Sequence, residues 1–288
     1  MTISGTAKLA GVMGYPVAQS RSPLMHNHWI STLGMEAAYI PMPVKPENLE
    51  AALRALPKMG FQGVNLTVPH KETAVKLVDT LDAAARRTGA VNTIVVKEDG
   101  SLEGRNTDVY GFSESLDYAS GTESNAGATA VVLGAGGAAR AIVASLIDEK
   151  CRLIRITNRS QEKAEAIADA MRTPKVAIEV VPWDDRSDAL DGASLVVNTT
   201  LLGMRGQPTL EIDLASLSQG AIVADIVYAP LETPLLTAAR ELGLTTLNGL
   251  RMLIEQARPG FQAWFGQMPP VTPELIEMLE FDLKAKNL

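Results

Sequence analysis

A chain of 288 residues is long enough for one large or two modest domains and can bury a sizeable core. Its 46% apolar and 20% charged residues are an ordinary globular mixture, and a net charge of −7 argues against nucleic acid or an anionic membrane as a partner. Cys151 as the one cysteine excludes an internal disulfide and a thiolate cluster, and three histidines, His26, His28 and His70, are too few for a histidine-rich metal site.

In chain order, KLAGVMGYPV (8–17) reads as a buried strand running into a turn. Residues 47–59 place Leu49, Leu53, Leu56 and Met59 near one helical face, with Pro57 ending the helix early. In GVNLTVPHKE (63–72), Val64, Leu66 and Val68 alternate with Asn65 and Thr67, the period of a half-buried strand, and Pro69 should stop it. A helix is expected over ETAVKLVDTLDAAARRTG (72–89), then two short strands around the hairpin signal Asp99-Gly100. Residues 120–129 form a polar loop. After it, TAVVLGAGGAARAIVASLIDEK (129–150) is an apolar run, a glycine-rich turn and an amphipathic helix. Strands recur at 151–159, 176–183, 193–200, 220–228 and 245–249, with helical patterns between several of them, which implies βαβ units and a parallel sheet. From Arg251 onward the pattern is mainly helical. No 18-residue apolar run occurs, nor a basic flank ahead of an apolar stretch, so a soluble, cytoplasmic protein is expected.

Three polar groups, Asn65, Thr67 and Lys71, cluster where a strand ends, the place where α/β enzymes put their chemistry. Lysine can carry a proton if burial or a neighbour lowers its pKa. Lys71 and Asp108, in GRNTDVYG, are therefore the acid/base candidates, although either alone is more often a surface charge. In QSRSP, Ser20 and Ser22 could bond substrate oxygens or cap the following helix, and without more context the cap is favoured. His26 and His28 lie two apart and read as structural; His70 either tunes the site or packs.

GAGGAA (134–139) follows an apolar strand and opens a helix, the setting in which Gly134, Ala135, Gly136, Gly137 and Ala138 receive a pyrophosphate. An acid usually bonds the NAD ribose some 20 positions later. Here Asn158, Arg159 and Ser160 stand in that place with Lys163 a turn on, which suits the 2′-phosphate of NADP. The bland alternatives are a tight turn with no ligand and solvated charges at a helix start.

Taken in order, GYPVAQSRSPLMHN, GVNLTVPHKE, GAVNT, GRNTD, GAGGAARA, TNRS, NTTLLGM, DIVY and NGLRMLIEQA resemble the shikimate dehydrogenase family over nearly the whole chain. The resemblance implies two α/β domains: a discontinuous substrate domain over 1–107 with 252–288 packing back on it, and a Rossmann-type parallel-sheet NADP domain over 108–251. It implies an oxidoreductase that reversibly reduces 3-dehydroshikimate to shikimate with NADPH, in aromatic amino acid biosynthesis, as a monomer or homodimer. By resemblance, Ser20 and Ser22 bind the substrate carboxylate. Thr67 and Asn92 bond ring hydroxyls, Asn65 supports the pocket, and Tyr228 and Gln256 complete the substrate contacts. Lys71 matches the catalytic lysine and Asp108 its partner aspartate. Ile226, Gly249 and Met252 match positions near the nicotinamide. Lys163 stands where many members have a second arginine, Val109 where glycine is common, and Arg251 in place of a small residue. Rival readings are an NAD-preferring quinate/shikimate dehydrogenase, a non-catalytic nucleotide sensor, and a related fold acting on folate.

Overall fold

The computed structural model describes residues 3–121 and 125–285, so residues 122–124 of the expected polar loop lie outside the described part. The chain divides into two compact units, one of residues up to Thr107 with Gln256–Asp282, the other centred on Asp108–Glu255.

The first unit opens with β1 (Lys8–Gly14), α1 (Ser22–Thr32), β2 (Ala37–Pro43), α2 (Leu49–Ala55) and β3 (Phe61–Leu66). It continues with β4 (Thr80–Leu81), α3 (Ala83–Thr88), β5 (Thr93–Val96) and β6 (Leu102–Arg105). These strands form one sheet in the order β2-β1-β3-β5-β6-β4. β1 pairs in parallel with β2 and β3, whereas β5 runs antiparallel to β3 and β6, the latter as the hairpin that Asp99-Gly100 signals. Leu49, Leu53 and Leu56 are buried against β3 residues Val64 and Leu66, as their helical spacing requires, while Met59 is half exposed.

Two expectations fail locally. The strand ends at Leu66, so Thr67 lies beyond it and Val68 is 69% exposed instead of joining the buried face. The helix expected over 72–89 is broken into a single 3₁₀ turn (Thr73–Lys76), β4 and the short α3. Two aspartates divert it. Asp79 exchanges hydrogen bonds with the backbone of Leu102, and the Asp82 carboxylate caps α3 by accepting from Ala85 N–H at 2.6 Å.

The second unit runs α4 (Asp108–Ser120), β7 (Thr129–Leu133), α5 (Gly137–Asp148), β8 (Leu153–Asn158), α6 (Gln161–Ala170) and β9 (Ala177–Pro182). Then come β10 (Leu195–Asn198), β11 (Ile222–Asp225), α7 (Pro234–Glu241), β12 (Thr245–Leu247) and α8 (Gly249–Phe265). Its six strands are all parallel in the order β9-β8-β7-β10-β11-β12. That is the doubly wound order, reversing direction between β7 and β10. Parallel strands covered on both faces read as apolar runs, and Ala130 to Leu133 and Leu195 to Val197 are nearly fully buried. α8 begins in this unit and ends in the first, where α9 (Pro273–Ala285) follows. Among the described residues no helix is long and apolar enough to cross a membrane, and no cluster of metal-ligating side chains occurs.

Candidate active site

In the first unit, one hydrogen-bonded network collects most of the polar candidates. Asn65 on β3 is 6% exposed and donates through Nδ2 to the Asn92 carbonyl (3.2 Å) and to Thr93 Oγ1 (3.0 Å). Its Oδ1 accepts from the Tyr39 hydroxyl at 2.6 Å, and Ser22 lies beside the same phenol. Asn92 Oδ1 accepts from Thr93 Oγ1 (3.1 Å) and from both Thr107 N–H (2.9 Å) and Thr107 Oγ1 (3.1 Å). With its oxygen held by three donors the amide cannot flip, and Nδ2 is left to face Gln256 Oε1 at 3.4 Å. Tyr39, Asn65, Asn92 and Gln256 thus share one network, built from β2, β3, the residue before β5 and α8, with Ser22 of α1 beside its Tyr39 end.

Lys71 is half buried, and its carbonyl accepts from Val91 N–H at 2.8 Å, which fixes the backbone just past β3. Thr67, also half buried, is tied to the end of β1 through its N–H to the Met13 carbonyl at 2.9 Å. His70 packs: it is 1% exposed and its Nε2 lies 2.8 Å from the Val44 carbonyl.

The two serines are not caps. Arg21 occupies the N-cap position of α1 with no side-chain cap bond, and Ser22 is the helix's first residue. Ser20 Oγ accepts only a long 3.3 Å bond from Ser22 N–H. The cap favoured from sequence is therefore not made: the N-cap position falls on Arg21, between the two serines. His26 is structural as expected, stacked 4.0 Å from the Tyr39 ring.

In the second unit, the turn after β7 is shaped for an anion. Gly134 has φ +111°, and a side chain there would stand 2.5 Å from Thr199 Oγ1. Only glycine fits. Gly136 is the N-cap of α5 without a side-chain bond, nothing crowds Gly136 or Gly137, and no acid sits in the first turn of the helix. Free first-turn N–H groups and the positive end of the dipole therefore face an unobstructed space that fits a pyrophosphate. At the end of the neighbouring β8, Asn158 Nδ2 donates to the Ser160 carbonyl at 2.8 Å, folding the chain into α6. Arg159 and Lys163 are exposed, and Ser160 is an N-cap whose hydroxyl makes no cap bond. The three polar heads are available to a phosphate.

A small recess at the carboxyl ends of β11 and β12 brings Ile226, Gly249 and Met252 together with Phe112, Asp225 and Asn248. A Cβ on Gly249 would lie 2.1 Å from the Ile226 carbonyl, so close approach of the two segments demands glycine. Asp225, 1% exposed, braces this wall: its Oδ1 accepts from Asn198 Nδ2 and Val227 N–H (both 3.0 Å), and Oδ2 from Thr233 Oγ1 (2.8 Å). Burial raises its pKa, and those hydrogen bonds oppose the rise. The loop they anchor carries half-buried Tyr228. Asp108 is the first residue of α4 and 9% exposed. Lys71 belongs to the first unit and Asp108 to the second.

Sequence reading missed Tyr39, Thr93, Thr107, Asn198 and Asp225 as site builders. The last four lay inside quoted motifs, and their polarity in apolar surroundings was the available signal. Tyr39 had none, since an aromatic in a strand is the ordinary core choice. Arg251, a departure from the family pattern, stacks 4.2 Å over the exposed Tyr118 ring and pairs with buried Glu255 at 2.7 Å.

Comparison with known proteins gives consistent matches along the chain. Residues 12–94 match the family model "Shikimate dehydrogenase substrate binding domain", 119–203 match "Shikimate / quinate 5-dehydrogenase", and 249–273 match "Shikimate 5'-dehydrogenase C-terminal domain". The shikimate dehydrogenase (NADP(+)) of Paramagnetospirillum magneticum is 52% identical over 273 residues, covering 95% of this chain and 98% of the relative. The structure of shikimate 5-dehydrogenase from Listeria monocytogenes in complex with shikimate and NAD superposes with a TM-score of 0.89 at 30% identity, over 97% of this chain and 98% of that one. Quinate dehydrogenase from Corynebacterium glutamicum in complex with NAD gives 0.87 at 31% identity, over 95% and 98%.

Proposed function

The chain belongs to the shikimate dehydrogenase family, and we propose that it catalyses the reversible NADPH-dependent reduction of 3-dehydroshikimate to shikimate with Lys71 as the proton donor. The observation that carries this reading is the network joining Tyr39, Asn65, Asn92 and Gln256, with Ser22 at its Tyr39 end. It presents fixed amides and hydroxyls, which match a small ring bearing several hydroxyls and one carboxylate. Each ring hydroxyl both donates and accepts, so a pocket of amides pinned in one orientation selects among stereoisomers.

In this reading Ser20 and Ser22 hold the carboxylate, Thr67, Asn92 and Gln256 bond ring hydroxyls, and Asn65 supports them. Tyr228 completes the substrate contacts. The bound cofactor supplies the hydride. Gly134 to Ala138 receive its pyrophosphate, Asn158, Arg159, Ser160 and Lys163 its adenosine phosphate, and Ile226, Gly249 and Met252 shape the nicotinamide wall. When hydride reaches the ketone carbon, negative charge develops on the oxygen and must gain a proton. The Lys71 ammonium both donates it and stabilises the developing charge, with Asp108 as its partner carboxylate. No acid stands where NAD-selective sites bond the ribose, and the exposed Arg159 and Lys163 favour NADP.

The test is initial rates with shikimate and with quinate, each with NADP and with NAD. The highest kcat/KM should belong to shikimate with NADP. A higher value for quinate with NAD would transfer the chain to the quinate dehydrogenase reading, the activity named for one of its structural neighbours.

A further inference from the structure

The residue between the two serines has no helix-building reason to be where it is. Arg21 is the N-cap of α1, where a positive charge opposes the helix dipole and where its side chain makes no cap bond. Its guanidinium instead faces two other groups. Nε lies 2.7 Å from Asp282 Oδ2 on α9, with the two side chains only 11% and 20% exposed, so this ion pair is largely withdrawn from water. Nη1 donates to the Gln19 carbonyl at 2.6 Å. Within the turn itself, Ser20 N–H donates to the Val17 carbonyl at 3.0 Å and Gln19 Nε2 to the Pro16 carbonyl at 3.0 Å. Arg21 thus ties the Pro16–Ser22 turn to a distant element, α9.

We propose that Arg21 is a positioning residue for the substrate carboxylate, its ion pair with Asp282 holding Ser20 and Ser22 in their binding arrangement. The inference rests on the reading of Ser20 and Ser22 as carboxylate ligands. Two hydroxyls can meet the two oxygens of one carboxylate only if the backbone between them keeps its shape, and the Arg21 side chain spans that backbone. The Gln19 carbonyl sets the peptide leading into Ser20, and Asp282 sets where the guanidinium stands. Asp282 also neutralises Arg21, which keeps the cation from competing with the serines for the substrate anion.

The experiment is steady-state kinetics on the full-length enzyme with shikimate and NADP, for Arg21→Leu, Asp282→Asn, their double variant and Ser20→Ala/Ser22→Ala, each with a thermal melt. Each single change at the pair should raise KM for shikimate about tenfold, leave kcat within about twofold and leave KM for NADP unmoved, the pattern of lost uniform binding. The double variant should be no worse than the worse single one, since both remove the same interaction. Arg21→Lys, which keeps the charge and loses the fork to Gln19, should fall between parent and Arg21→Leu. If Arg21→Leu does not fold, Asp282→Asn, nearly isosteric, decides alone. A lowered melting temperature with unchanged KM would reduce Arg21 to a structural role and overturn the proposal. So would a fall in KM for Asp282→Asn, which would mean that a freed guanidinium binds the substrate directly. If the serine variant raises KM and the Arg21 variants do not, this inference alone fails. If the serine variant leaves KM untouched, the carboxylate reading fails and takes the inference with it.

Discussion

His26 makes the first unit acid-sensitive by an amount that can be worked out. Its ring is fully buried, stacked 4.0 Å from Tyr39 with 5° between the planes, edge-on to Trp29 at 5.4 Å and 5.8 Å from both Phe261 and Trp264. Neither ring nitrogen has a hydrogen-bond partner among the described residues. Desolvation therefore lowers its pKa from 6.5 to about 3. The unfolded chain takes a proton below pH 6.5 and the folded chain refuses it until about pH 3. Stability contributed by the neutral ring is thus fully present above pH 6.5 and falls as pH drops toward 3. At about 1.4 kcal/mol per unit, lowering the pH to 5 costs the fold about 2 kcal/mol. His26→Phe keeps the stack and removes the titration. The assay is urea unfolding at pH 7.5 and pH 5, followed by the fluorescence of Trp29 and Trp264, both in the same aromatic cluster. Between those pH values the parent should lose about 2 kcal/mol more than the variant. Equal losses in both proteins would refute the argument, because the carboxylates that also titrate in this range are common to the two.

Lys71→Ala should lower kcat about 10²- to 10⁴-fold with little change in KM; a near-native kcat with shikimate would end its role as proton donor. Replacing Ser20 and Ser22 with alanine should raise KM for shikimate more than it lowers kcat, at about 1.5–3 kcal/mol for each lost bond to a charged group. The melting temperature should hardly move, since neither serine is the N-cap residue of α1; a large drop in Tm with KM intact would restore the capping role. Arg159→Ala should raise KM for NADP far more than for NAD, by about 10- to 100-fold given the exposure of the site and salt screening. A parent enzyme with equal kcat/KM for both cofactors would refute that.

The second unit was readable because its strands announce themselves. Buried parallel strands are apolar runs, and each is followed by a turn signal before the next helix, so β7 to β12 fall inside the segments read as strands. The first unit was harder where local pattern and tertiary pairing disagree. Residues 72–89 carry leucines, valines and alanines at helical spacing. Asp79 and Asp82 instead spend their carboxylates on backbone N–H groups of Leu102, Ala85 and Asn106, and the edge strand β4 forms between them. Aspartate that competes for backbone donors is neutral to unfavourable inside a helix, and here two of them three residues apart tip the balance.

The site divides along a similar line. Groups proposed to touch ligand were legible because polar residues at a strand end or a glycine turn have no cheaper explanation. Groups that hold those residues were not, because each works through a partner far along the chain. Tyr39 reaches Asn65 across 26 positions, Asp225 reaches Asn198 across 27, and Arg21 reaches Asp282 at the other end of the chain. An isolated Tyr in a strand or Arg near a helix start carries no local sign of such a partner. The distinction predicts how the two classes fail. Removing a group that touches ligand leaves a folded protein with poor binding or turnover. Removing Asp225 leaves Asn198 Nδ2 and Thr233 Oγ1 short of a buried acceptor, at about 1–3 kcal/mol each. Asp225→Ala should therefore show its main loss in the stability of the second unit, with the loop bearing Ile226 and Tyr228 loosened as a consequence. A variant that melted like the parent yet lost NADP turnover would put Asp225 itself at the chemistry.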